Sequence, residues 1–131
     1  MTFLDTNIIS YYFDANVKVK EKLLEIIDKG EDICTTVINT YEILKGFKWK
    51  SNKKKEDQFK DFLEDVIVYT IDDEVINIAS DLYANLRKNG KTIGDADILI
   101  AAIVIKNNGT LVSNNTKHYD GIERLVLENW L

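Results

Sequence analysis

The sequence predicts an α/β fold in which a parallel sheet is covered by helices on both faces. Short segments rich in β-branched residues alternate along the chain with longer segments of helical periodicity. Strands that alternate with helices pair in parallel and become buried between helical layers. The chain has 131 residues, no proline and no linker-like or repeated segment. We therefore expect one domain that spans residues 1–131.

Five short segments have the composition of buried strands, with apolar and β-branched residues bounded by polar ones. They are residues 2–4, 33–36, 66–69, 110–113 and 125–127. The second contains Cys34, the single cysteine. One cysteine excludes an intramolecular disulfide and fits a reducing compartment, so we predict that Cys34 is a small core residue.

Five longer segments carry apolar residues at helical spacing. They are residues 18–29, 37–47, 54–63, 73–88 and 96–106. The segment 73–88 begins with acids and ends with Arg87 and Lys88, which is the charge order that a helix dipole favours. The segment 96–106 is apolar nearly all round and is predicted to be a central, buried helix.

Composition narrows the possible classes of function. The longest apolar run, residues 98–105, is far shorter than the ~20 residues of a membrane span, and the N-terminus lacks the basic region of a signal peptide. We expect a soluble, cytoplasmic protein without a membrane partner. The net charge of -5 and the pI near 4.9 argue against binding of nucleic acid by bulk charge.

The positive charge is nevertheless concentrated in one strip, residues 45–55. This strip holds six of the 17 basic residues: Lys45, Lys48, Lys50, Lys53, Lys54 and Lys55. It is either an anion-holding surface beside an acidic site or a solvated, mobile loop. Trp49 within it would stack on a base or pack against a protein partner.

Acidic residues occur where parallel strands bring their carboxyl ends together. Asp5 directly follows the first strand, and Glu42 lies beside the apolar stripe of the helix after the second strand. Asp95 and Asp97 occupy the first turn of the most apolar helix. Each has an ordinary alternative explanation as a helix cap, a surface acid or a partner of the helix dipole. Ligand sites of parallel sheets lie at the carboxyl ends of the strands, so the more specific hypothesis is that these acids converge there on one site.

Carboxylates from three segments repel one another unless protons or a cation hold them together. Oxygen ligands favour Mg²⁺ or Mn²⁺, whereas one histidine and one distant cysteine argue against zinc. Such an ion lowers the pKa of bound water and polarises a phosphoryl oxygen, which suits phosphodiester hydrolysis without a protein nucleophile. This chemistry requires no histidine, so we interpret His118 as a surface residue, with RNA contact as the alternative.

The ordered segments LDTNIIS, YEILKG, IGDADILIAA, LVSNNTKHY and VLENW resemble PIN-domain ribonucleases of the VapC toxin type, over nearly the whole chain. The resemblance implies a three-layer α/β/α sandwich with a small, mostly parallel sheet. It also implies an Mg²⁺-dependent endoribonuclease, a VapB-like antitoxin as partner and usually a homodimer. The LVSNNTKHY segment resembles that of family members that cut tRNA.

The resemblance also assigns roles by position. It implies that Asp5, Glu42 and Asp97 are the catalytic acids, that Asp5 and Asp97 bind the metal, and that Asp95 is a further acid of the site.

Three polar residues are expected to support these acids. Asn7 would fix the turn after Asp5, and Ser113 matches the small hydroxyl residue of the family. Asn115 stands where some members carry a fourth acid, which leaves open whether one or two metal ions bind.

The RNA would then be held by the neighbouring lysines of the strip, Lys48, Lys50, Lys53, Lys54 and Lys55. Two other classes of function remain open from the residues alone. A phosphatase that forms an aspartyl-phosphate usually has a second Asp two residues after the first, where this chain has Asn7. A catalytically silent interaction module with the same fold is the other alternative.

Overall fold

A computed structural model describes all residues, 1–131. It contains five strands, six α-helices and one 3-10 helix, joined by turns and loops. The strands are β1 (Thr2–Leu4), β2 (Ile33–Thr36), β3 (Ile67–Tyr69), β4 (Thr110–Val112) and β5 (Val126–Glu128). The helices are α1 (Thr6–Phe13), α2 (Val17–Asp28), α3 (Val37–Trp49), α4 (Lys53–Leu63), α5 (Asp73–Lys88) and α6 (Asp95–Lys106), with the 3-10 helix at Thr116–Tyr119. None of these helices combines the length and the apolar character that a membrane span requires.

The five strands form one sheet in the order β3-β2-β1-β4-β5, and every pair is parallel. The predicted α/β class is confirmed, and the sheet is wholly rather than mostly parallel. The central strand β1 has β2 on one side and β4 on the other, so the strand order changes direction there. Parallel sheets form their binding crevices at such switch points, outside the carboxyl ends of the strands.

Each face of the sheet has its own hydrophobic core, because successive side chains of a strand point to opposite faces. Phe3 packs with α5, α6 and Leu111 on one face, whereas Leu4 packs with α1, α2, α4 and Val112 on the other. This arrangement is the three-layer sandwich. Cys34 is a fully buried member of the first core, as predicted, and burial raises the pKa of its thiol to about 11.

The helix α1 was not predicted, because its sequence TNIISYYF consists largely of β-branched and aromatic residues of modest helix propensity. Two features stabilise it. Asp5 caps its N-terminus through a hydrogen bond from the Thr6 N–H, and Ile8 and Ile9 are completely buried. Tertiary burial and a cap therefore outweigh intrinsic propensity, and the cap is the acid that ends β1.

The basic strip is not a mobile loop. It consists of the end of α3, a tight turn at Ser51 with φ of 52°, and the start of α4, where the Asn52 side chain accepts the Lys55 N–H. The carboxylate of Glu56, whose side chain is only 8% exposed, lies within 3.4 Å of the ammonium groups of Lys48 and Lys53. A third ammonium group, that of Lys60, donates to it at 2.9 Å.

We expect Glu56 to make stability depend on pH in the acid range. The hydrogen bond from Lys60, with help from Lys48 and Lys53, lowers the pKa of Glu56 from its ordinary 4.5 to about 2. The stabilisation is therefore complete above pH 4.5 and is lost as the pH falls towards 2. Urea unfolding should show Glu56→Gln less stable than wild type near neutral pH, and the gap should close in acid.

Glu21→Gln is the matched control for this prediction, because Glu21 is exposed and has no ion pair. Its unfolding midpoint should follow that of wild type at every pH. A stability gap for Glu56→Gln that stays constant from neutral pH to about 2 would contradict the ion-pair assignment.

Candidate active site

Asp5 is placed rigidly by two elements. Its backbone N–H extends the β1–β4 pairing by donating to the Val112 carbonyl at 2.9 Å, and the residue is also the N-cap of α1. The residue is only 5% exposed. The acid therefore stands at the carboxyl edge of the sheet, at the switch point between neighbouring strands.

The Asp5 carboxylate accepts four hydrogen bonds. Its Oδ1 accepts from the Thr6 N–H and from Asn39 Nδ2, both at 2.9 Å. Its Oδ2 accepts from Ser113 Oγ at 2.7 Å and from the Tyr119 hydroxyl at 3.0 Å. A carboxylate offers about four lone-pair positions, so all of them are used. These bonds compensate for the burial of the charge.

Asn39 connects Asp5 to Glu42 through a chain of hydrogen bonds. It is completely buried, and its Oδ1 accepts from Thr36 Oγ1 at 2.6 Å. Its Nδ2 donates to Asp5 and, at 3.0 Å, to Thr6 Oγ1, which in turn donates to Glu42 Oε1 at 2.7 Å. The Asn39 amide donates directly to Asp5 and, through the Thr6 hydroxyl, indirectly to Glu42. It therefore orients both acids.

Asp97 approaches the same place from the first turn of α6. Its Oδ1 lies 3.5 Å from the Tyr119 hydroxyl, and its Oδ2 lies 3.5 Å from Nδ1 of His118. Burial, followed by the negative charge of Asp5, raises the pKa of Asp97, and His118 opposes this shift. The carboxylates of Asp5 and Asp97 therefore interact electrostatically across the Tyr119 hydroxyl.

Tyr119 was not identified from the sequence as a residue of the site. It is 1% exposed, and its pKa is raised far above the usual range by burial and by the nearby charges of Asp5 and Asp97. The hydroxyl therefore stays protonated and acts as a donor. Asn39 was missed as well, although its position three residues after Thr36 and three before Glu42 places it on their face of α3.

Asp5, Glu42 and Asp97 line a cleft of about 660 Å³ whose walls consist mainly of polar residues. Its lining residues are Asp5, Thr6, Asn7, Ser10, Tyr11, Asp14, Glu42, Gly94, Ala96, Asp97, Asn115 and His118. The cleft thus brings together three of the four acids singled out from the sequence. The fourth, Asp95, does not line it.

Asp95 faces a different groove, which Ile76, Tyr83 and Leu99 help to form. Two residues correspond to a rotation of about 200° around the helix axis, so Asp95 and Asp97 point to nearly opposite sides and cannot both face the cleft. Asp95 is also not the N-cap of α6. Gly94 holds that position, without a side-chain hydrogen bond.

The predicted supporting residues lie around Asp5, and one of them, Asn7, makes a different bond from the one expected. Asn7 does not bond within its own turn: its Oδ1 accepts the Asn114 N–H at 3.1 Å and ties α1 to the end of β4. Ser113 is fully buried beneath the cleft and donates to Asp5. The backbone N–H of Asn115 donates to Ser113 Oγ at 3.0 Å, and Asn115 itself lines the cleft.

The five lysines predicted to bind RNA divide into distinct environments. Lys48 and Lys53 are paired with Glu56. Lys50 and Lys55 line a groove of about 370 Å³, and Lys54 is exposed outside it. Trp49 is 88% exposed beside them.

The oxygen-rich donor set of the cleft suits a hard divalent cation. No group of three His, Cys, Asp or Glu side chains is arranged as a ready-made metal site. Mg²⁺, however, is usually held by one or two carboxylates and keeps several waters. Asp5 and Asp97, which both line the cleft and approach the Tyr119 hydroxyl, fit this mode of binding.

Comparison with known proteins agrees with this fold and cleft. The PIN domain family model matches residues 2–122. The chain is 34% identical over 129 residues to Ribonuclease VapC2 of Rickettsia felis, covering 97% of this chain and 96% of that protein. It is 33% identical over 125 residues to Ribonuclease VapC1 of Methanocaldococcus jannaschii, covering 95% and 83%.

A solved structure supports the same relationship. VapBC2 of Rickettsia felis, bound to a DNA fragment from its promoter, contains a chain that superposes with a TM-score of 0.88 and 29% identity, over 99% of this chain and 98% of the other. The family match over residues 2–122, together with this fold, identifies the chain as a PIN domain. The chain belongs to the PIN-domain family and, within it, to the group of the VapC ribonucleases.

Proposed function

We propose that this chain is a single-domain, Mg²⁺-dependent endoribonuclease and the toxin of a VapB–VapC pair, acting in the cytoplasm. The observation that carries the proposal is the pair of carboxylates, Asp5 and Asp97, on either side of the Tyr119 hydroxyl. Family membership supports RNA as the substrate. Mn²⁺ is expected to substitute for Mg²⁺, because it takes the same oxygen ligands.

Each acid of the cleft has a distinct part in this proposal. Asp5 and Asp97 would hold the cation, which when bound supplies a low pKa for water and polarises a phosphoryl oxygen. Glu42 is anchored by Thr6 through Oε1, while its Oε2 has no hydrogen-bond partner in the protein. That free oxygen is suited to orient water at the scissile phosphate and to accept its proton. For His118, which is 60% exposed at the rim, contact with RNA is the proposed role.

An RNA cleavage assay with Mg²⁺, with Mn²⁺ and with EDTA tests this function, with tRNA as the first substrate. Endonucleolytic products that need the metal are expected. Absence of cleavage in all conditions would favour a silent interaction module. Hydrolysis of phosphate monoesters instead of RNA would favour the phosphatase, which the Asn at position 7 already argues against.

The proposed path for RNA runs from the acids to the basic strip. The cleft and the groove beside it share Thr6, Ser10, Asp14 and Glu42 as lining residues. At the far end of this path lie Lys50, which has no carboxylate partner, and Lys55, whose Nζ donates to the Phe13 carbonyl at 3.2 Å. Of the five predicted RNA-binding lysines we propose Lys50 and Lys55 as the main contacts, because Lys48 and Lys53 are already paired with Glu56 and Lys54 lies outside the groove.

The double variant Lys50→Gln, Lys55→Gln is expected to bind RNA more weakly and with a shallower salt dependence. Each lost phosphate contact on a single strand reduces the slope of log K against log salt by about 0.7, so the slope should fall by about 1.4. RNA binding is measured in an Asp97→Asn background, which prevents cleavage. The cleavage rate at saturating RNA, measured with Asp97 intact, should change little.

Lys54→Gln combined with Lys88→Gln is the matched control, because both lysines are exposed and lie outside the groove. It removes the same charge and should leave the slope nearly unchanged. Equal losses in both double variants would mean that RNA senses net charge and not this groove.

A VapB-like antitoxin is the proposed protein partner. The Rickettsia felis relative was solved as a VapBC complex. In this chain, Leu24 and Ile27 of α2 are more than half exposed in a mainly apolar groove of about 690 Å³, which α4 and β3 complete. An amphipathic segment fits such a groove. Co-purification of the two chains, lost in Leu24→Asp, tests this assignment.

We also propose that the chain forms a homodimer. Ile76 and Tyr83 of α5 are almost half exposed beside Leu99, and together they form a shallow apolar groove. A second copy of the same face would remove this surface from water. A monomeric mass in light scattering at micromolar concentration would exclude the dimer under those conditions.

A further inference from the structure

The four hydrogen bonds to Asp5 leave no lone-pair position for a further ligand. Two donors reach Oδ1 and two reach Oδ2. If Asp5 is to bind a cation directly, one donor has to give way. The surroundings of the four donors indicate which one does so.

Three of the donors are fixed. The Thr6 N–H belongs to the backbone at the start of α1. Asn39 is completely buried and locked by Thr36 on one side and Thr6 on the other. Ser113 is also fully buried, at the end of β4, and its Oγ accepts the Asn115 N–H.

The fourth donor, Tyr119, has an alternative acceptor. Its hydroxyl lies 3.0 Å from Asp5 Oδ2 and 3.5 Å from Asp97 Oδ1. A phenolic hydroxyl carries one proton, which prefers either of two positions in the ring plane, so it can switch from the first acid to the second. The residue is also supplied by a four-residue 3-10 helix rather than by the sheet or a long helix.

We propose that Tyr119 is a positioning residue of the metal site whose hydroxyl is the exchangeable donor to Asp5. It donates to Asp5 Oδ2 within reach of Asp97 Oδ1, and it releases Asp5 Oδ2 when a divalent cation binds. This inference rests on the proposed metal dependence. The bond at 3.0 Å to Asp5 is stronger than its replacement at 3.5 Å to an acid whose charge the cation already neutralises, so Tyr119 opposes cation binding.

The test compares Tyr119→Phe with wild type in titrations with Mn²⁺, followed by electron paramagnetic resonance and by thermal unfolding. In EDTA the variant should unfold at a lower temperature, because Asp5 has lost a donor. Mn²⁺ should bind roughly tenfold more tightly to the variant, as expected for a hydrogen bond to a charged group. Its metal-induced rise in unfolding temperature should therefore exceed that of wild type.

Two further variants give the result its meaning. Tyr69→Phe removes a hydroxyl that contacts only Met1 Sδ, at 3.8 Å, and should leave Mn²⁺ affinity unchanged. Ser113→Ala removes the other donor to Oδ2, one that stays in place when the cation binds, so it should not tighten binding.

Three outcomes would overturn the inference. Unchanged or weaker Mn²⁺ binding by Tyr119→Phe would do so, and so would equal tightening in Tyr119→Phe and Ser113→Ala. In both cases a wild-type protein that binds Mn²⁺ and cleaves RNA leaves the proposed function standing. A wild-type protein that binds no Mn²⁺ at millimolar concentration would remove both.

Discussion

Asp97→Asn is expected to lower the rate of RNA cleavage by at least about a hundredfold, the effect of losing one electrostatic contribution to a transition state. The substitution keeps the size of the side chain but removes a charge from the site where the cation is proposed to bind. The fold should survive. Burial and the charge of Asp5 both raise the pKa of Asp97, so its ionised form is disfavoured there and the neutral amide relieves that cost.

Asp95→Asn is the matched control for Asp97→Asn. It is the same chemical change, two residues earlier on the same helix, but Asp95 faces the groove near Ile76 instead of the cleft. Cleavage by this variant should stay close to the wild-type rate. A large loss in Asp95→Asn, or wild-type turnover by Asp97→Asn, would contradict the assignment of the site.

Asn39→Asp is expected to cause the largest loss of stability among the substitutions considered. The new carboxylate has nearly the shape of the amide, but it places an oxygen where Nδ2 now lies, 2.9 Å from Asp5 Oδ1. An uncompensated charge at a completely buried position costs roughly 3–5 kcal/mol of unfolding free energy. Cleavage should fall as well, since the hydrogen bonds that orient Asp5 and Glu42 are broken.

Denaturant unfolding measures this effect, and Asn77→Asp provides the control. Asn77 is exposed in α5, so the same change there should shift stability by no more than about 0.5 kcal/mol. Similar unfolding midpoints for the two variants would show that Asn39 does not hold the acids in place.

Most of the architecture was predictable because it depends on local patterns. Alternation and composition located all five strands within about one residue, and apolar periodicity located five of the six helices. The helix α1 escaped because its signal is tertiary. Its β-branched and aromatic residues become helical only when Ile8 and Ile9 are buried and Asp5 caps the first turn.

The candidate site was predictable in part, for a similar reason. The order of strands and helices is enough to bring Asp5, Glu42 and Asp97 to one edge of a parallel sheet. It does not show which of two acids on the same helix faces that edge. Asp95 and Asp97 differ only in helical phase, and the packing of α6 between its neighbours sets that phase.

The basic strip shows the same limit. Its charge is visible in the sequence, but the partners of each lysine are not. Glu56 occupies Lys48 and Lys53 and leaves Lys50 and Lys55 in the groove, because α4 folds back against the end of α3.

The sequence by itself thus determined the α/β class, the order of the strands and of five helices, the acidic character of the site and the family resemblance, because each depends on residues close together in the chain. Only the tertiary structure decided how Asp5 is held. Two of its donors, Ser113 and Tyr119, come from 108 and 114 residues further along the chain. Hydrogen bonds act over about 3 Å, and only the completed sheet brings such distant positions within that range.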